Sequence, residues 1–132
     1  MTTRRGDHGQ STVEFALVLP LVVLVAMFIV QAGLVVRDQV LVTHAAREAA
    51  RAAAVSDADR PEAALRAARQ AGELEEDRLG VTVSMLEGDS SVRVVVSYRS
   101  LTDLAIVGAL VPDLTLDASV VMQVESEREH RP

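Results

Sequence analysis

One carboxylate stands where a membrane segment disfavours it. Glu14 sits at the mouth of an uncharged apolar run, Phe15 to Val36. A charge at the edge of hydrocarbon is costly, so a carboxylate kept there points to a function rather than an accident. In low dielectric such a group acts by ion pairing, because a partnered charge is strongly held and an unpartnered one is heavily penalised. Gly9 lies five residues before it, and Arg4 and Arg5 precede the glycine. The remaining reactive residue types form no set. His8, His44 and His130 are scattered and read as solvated or interfacial side chains, not metal ligands. There is no cysteine, no Gly-rich phosphate loop and no nucleophile motif. The acidic run Glu73, Glu75, Glu76, Asp77 reads as a solvated linker. The chain thus offers no residues for an enzyme, a metal or another cofactor. Its net charge of −6, with all 13 basic residues Arg, also lacks the basic footprint of a nucleic-acid binder.

The element that positions Glu14 is the apolar run itself. Phe15 to Val36 is 22 residues without a charge. As a helix it reaches about 33 Å, enough to cross a hydrocarbon core of about 30 Å and contact membrane lipid. Pro20 falls near the start of this helix, where it introduces a mild kink and not a break. Arg4 and Arg5 on one side, against Arg37 and Asp38 on the other, favour a cytoplasmic N-terminus and an extracytoplasmic remainder. Two other readings of the run stand beside this one. A secretory signal peptide would be cut after Val30-Gln31-Ala32, before Gly33, although the run is too long for one. An uncleaved anchor is the other, and it leaves Glu14 without a role.

Gly9, Glu14 five residues on and the apolar helix after it resemble the class III signal sequences of type IV pilin-like proteins. The string Glu14-Phe15-Ala16-Leu17-Val18-Leu19-Pro20, followed by His44-Ala45-Ala46-Arg47-Glu48-Ala49-Ala50-Arg51-Ala52-Ala53, is similar to the TadE-like minor pilins of tight-adherence (Flp) pilus systems. The resemblance implies cleavage of the Gly9–Gln10 bond by a membrane-embedded prepilin peptidase. Glycine suits such a site because the backbone can approach catalytic groups with no side chain in the way. It also implies that Glu14 pairs with the new amine of a neighbouring subunit and so sets assembly register. The implied partners are the prepilin peptidase, other minor and major pilins and a pilus assembly platform. Gln10 departs from the aromatic or apolar residue that many type IV pilins carry after the cut.

Beyond the membrane the helical pattern continues to Val55, with Ala45, Ala49 and Ala53 forming a stripe of small residues. Such a stripe permits close packing, and alanine is also simply the best helix former. Pro20, Ala45, Ala49 and Ala53 are the candidate helix-packing residues. Asp57 or Asp59 caps a second helix over Pro61 to Ala71, which Gly72 ends. Alternation predicts strands over Val81 to Met85, Val92 to Arg99 and Leu114 to Val124, with a turn at Glu87 to Ser90. A short apolar helix, read as buried in preference to a contact patch, is expected over Thr102 to Leu110. Three one-faced strands need a lid, and the outer half of the long helix is the candidate. The expected fold is therefore α+β and pilin-like: a long N-terminal helix packed on a small antiparallel sheet. The expected organisation is a leader over 1–9, a membrane helix over 10–36, a head over 37–125 and a polar tail over 126–132. Two functional classes follow: a minor pilin or pseudopilin, and an uncleaved single-pass anchored binding module with no pilus role.

Overall fold

The computed structural model describes residues 7–56, 59–86, 90–101 and 112–124. The element order is helix α1 (Asp7–Val55), helix α2 (Arg60–Ala71), a 3-10 turn (Glu76–Arg78), and strands β1 (Leu79–Met85), β2 (Ser91–Ser100) and β3 (Leu114–Gln123). This is the expected α+β fold, a long apolar helix with a three-stranded antiparallel sheet. The helix expected over Thr102 to Leu110 and the tail 126–132 lie outside the described residues, as do Asp57 and most of the turn at 87–90.

The chain divides into two compact units, and α1 contributes to both. The first contains α1 up to Leu34. Here large apolar side chains are exposed around the whole helix; Phe15, Leu17, Leu21 and Ile29 are each more than half exposed. A helix apolar on every side needs hydrocarbon or other protein around it. Among the described residues it is one helix long and apolar enough to cross a membrane. Pro20 is accommodated without a break, although it leaves the Ala16 carbonyl without its usual donor.

The second unit starts at Val35 and holds the rest of α1, α2 and the sheet. Its strands lie in the order β1-β2-β3, each antiparallel to its neighbour. Val83 stands opposite Val94, and Val94 opposite Val120, so the alternation read from each strand aligns across all three. Val92, Val94, Val96 and Tyr98 of β2 are buried against Val42, Ala45, Ala46, Ala49, Ala50, Ala53 and Ala54 of α1. Ala64 and Ala68 of α2, Leu74 and Leu116 complete this core. The outer half of α1 is thus the lid that the one-faced strands require. Asp59, not Asp57, caps α2: its Oδ1 accepts the Glu62 N–H at 3.4 Å, and Pro61 follows in the first turn. Gly72 ends α2 in an extended conformation.

Six buried alanines on one helix let the sheet approach closely, and a close-packed site resists added volume. Ala49→Leu is therefore expected to destabilise the head by about 1–3 kcal/mol. Arg51→Leu, at an exposed position on the same helix, should change stability by less than about 0.5 kcal/mol. Urea unfolding of the full chain in detergent, followed by circular dichroism, measures both.

Candidate functional site

Gly9, Gln10 and Glu14 all belong to α1, which begins at Asp7. The Gly9–Gln10 bond consequently lies in the first helical turn. Amides there have no partner within the helix, and a glycine weakens helix by about 1 kcal/mol relative to alanine. The Glu14 side chain is exposed.

Ala45, Ala49 and Ala53 are fully buried and face the β2 valines. The close packing they permit is used within the chain, by its own head. His44, in contrast, is exposed on α1. Among the described residues no group of three or more His, Cys, Asp or Glu is arranged to hold a metal ion.

The junction between the end of the apolar run and the head is held by residues that the sequence marks only as charged flanks. Three consecutive side chains of α1 reach three different parts of the head. Arg37 Nη2 lies 3.1 Å from Glu73 Oε2 in the loop after α2. Asp38 Oδ2 accepts a hydrogen bond from Ser100 Oγ at 2.7 Å, at the end of β2. Gln39 Nε2 donates to the Asp117 carbonyl on β3 at 3.4 Å. Successive helix residues are about 100° apart, so these contacts radiate around α1 and fix its rotation against the sheet. The acidic run is likewise more than a solvated linker. Glu73 pairs with Arg37, Glu75 with Arg78, and Glu76 with Arg69, while Leu74 between them is buried in the core. The Arg78 guanidinium also stacks 5.8 Å from the centre of the Tyr98 ring. Its hydrogen bond to Glu75 is the main cause holding its pKa above the ordinary arginine value.

These contacts differ in worth. Arg37 and Glu73 are both exposed, and such pairs contribute little. Ser100 is 3% exposed, and its hydroxyl serves a charged acceptor. Ser100→Ala is expected to cost about 1.5–3 kcal/mol, while Arg37→Ala should cost less than about 1 kcal/mol. Denaturant midpoints of the two variants in detergent should show that order, and the reverse order would shift the anchoring role to the ion pair.

Comparison of the whole chain with curated proteins and with solved structures finds no match. A family model does match, and it begins at the glycine of the candidate cleavage site. Over residues 9–51, which hold Gly9, Gln10, Glu14, Pro20, Ala45 and Ala49, the chain matches the model described as TadE-like protein, and this segment is therefore TadE-like.

Proposed function

We propose that the chain is a non-catalytic minor pilin or pseudopilin of tight-adherence pilus systems, cut after Gly9 and anchored by α1. The observation that carries this reading is the extent of the TadE-like match. It starts at Gly9 and runs through Glu14 and the apolar helix into the alanine face of the head. On this reading a prepilin peptidase releases residues 1–9 on the cytoplasmic side, and the head stands outside the membrane. Glu14 then sets register by pairing with the terminal amine of a neighbouring pilin, an interaction strong only where water is scarce. The assembly platform draws the subunit from the lipid into a pilus or its initiating complex.

The N-terminal residue and intact mass of the protein recovered from its native membrane test this directly. The 132 residues less the nine of the leader leave a chain of 123 starting at Gln10, and that is the expected species. An uncut N-terminus would instead support a simple anchored binding module, and a start at Gly33 would make the chain a secreted protein. Glu14→Ala is expected to insert in the membrane and to be lost from assembled pili. Equal recovery of mutant and wild-type subunits from sheared pili would remove the register role.

A further inference from the structure

Where α1 backs the head, one of its flanks is basic and grooved. His44, Arg47 and Arg51 are exposed there, three and four residues apart and so on one side of the helix. Val40 and Val55 prolong that side at its two ends and are 63% and 62% exposed. Two cavities lie along it. One, of about 390 Å³, is lined by Gln39, Val40, Thr43, His44 and Arg47. The other, of about 440 Å³, lies between Arg51, Ala54 and Val55 of α1 and Met122 and Gln123 of β3. Arg47 and Arg51 are like charges one turn apart, which weakens a helix unless an anion neutralises them. Among the described residues no ion pair does so. The ion pairs found there use Arg37, Arg69 and Arg78, and Glu48, beside Arg47 in sequence, makes none.

The end of β3 decides which anion is within reach. Gln39 bonds the Asp117 carbonyl, and Met122 and Gln123 share a cavity with Arg51 and Val55, so β3 runs along α1 in the same sense within the head. Val124 N–H donates to the Ser90 carbonyl at 2.9 Å, and its side chain packs on the core. That fixes the point at which the chain leaves the sheet, beside the Arg51 end of the flank. The residues that follow are Glu125-Ser126-Glu127-Arg128-Glu129. In an extended chain alternate residues share a side, which sets Glu125, Glu127 and Glu129 about 6.6 Å apart with Ser126 and Arg128 opposite. Arg51 and Arg47 are about 6 Å apart along the helix axis. The acidic side thus matches the basic flank in sign and in spacing. A single exposed ion pair contributes little. Here the pairs repeat along a groove, and the tether through β3 holds the acidic segment at an effective concentration on the order of millimolar. A separate acidic partner has no such advantage.

We infer that the acidic segment Glu125–Glu129 folds back onto the basic flank of α1 in the same chain, with Glu125 pairing with Arg51 and Glu127 with Arg47. The inference rests on the head alone and not on cleavage after Gly9. The absence of cysteine allows a direct test in the full-length chain in native membranes. From Glu125 to His130 an extended chain covers about 16.5 Å, and from Arg51 to Val40 α1 covers about the same 16.5 Å. Val40→Cys combined with His130→Cys therefore brings two thiols together. Arg66→Cys, exposed on α2, combined with His130→Cys reports random encounter. After mild oxidation the Val40 pair is expected to form a disulfide within one chain, several-fold more than the Arg66 pair. Arg47→Glu with Arg51→Glu should lower it to the Arg66 level, and adding Glu125→Arg with Glu127→Arg should restore it. Recovery by the charge swap separates lost pairing from a misfolded head. A disulfide at the Arg66 level, one indifferent to the charge reversal, one that the swap does not restore, or one that joins two chains would each overturn the inference.

Discussion

The close approach between the alanine face of α1 and the valines of β2 is the constraint on which the head depends. Val42 apart, the residues that α1 buries in the core are alanines, and the sheet face they meet carries Val92, Val94, Val96 and Tyr98. Each alanine contributes little apolar area, so stability comes from filling a thin gap without voids. The same residues keep α1 helical, since alanine is the strongest helix former. Helix propensity and packing therefore favour one conformation, and the two readings of the alanine stripe are both satisfied by one structure.

A thin apolar contact fixes distance better than rotation, because alanine faces offer few knobs to lock against a sheet. Rotation is set by polar contacts where the apolar run ends. Arg37, Asp38 and Gln39 reach the loop after α2, the end of β2 and β3 respectively. The Ser100–Asp38 contact dominates, since a nearly buried hydroxyl bonded to a carboxylate is strong, whereas an exposed pair is screened. Thr43 Oγ1 donates to the Gln39 carbonyl at 2.8 Å, which ties this junction into the helix above it.

Much of this was legible in the sequence because it depends on periodicity. The apolar run, the alternation in β2 and the turn residues near Pro61 each carry a local signal that the tertiary structure does not override. The cap on α2 was narrowed to Asp57 or Asp59, and the hydrogen bond from the Glu62 N–H identifies Asp59. Nonlocal choices were not legible. Direct pairing of β2 with β3 depends on closing a chain segment of unspecified path. The acidic run looked like a linker because its partners, Arg37 and Arg69, lie far away in sequence or across a turn. Ser100 carries no sequence sign of its bond to a residue 62 positions earlier. The strings that resemble TadE-like proteins were readable because they are local, and the family match over residues 9–51 covers the first and most of the second.

A head with so thin a core is small for independent stability, and its fully buried side chains larger than alanine include four valines. Such a domain gains from any contact made only by its folded form, because binding to the native state alone adds stability by mass action.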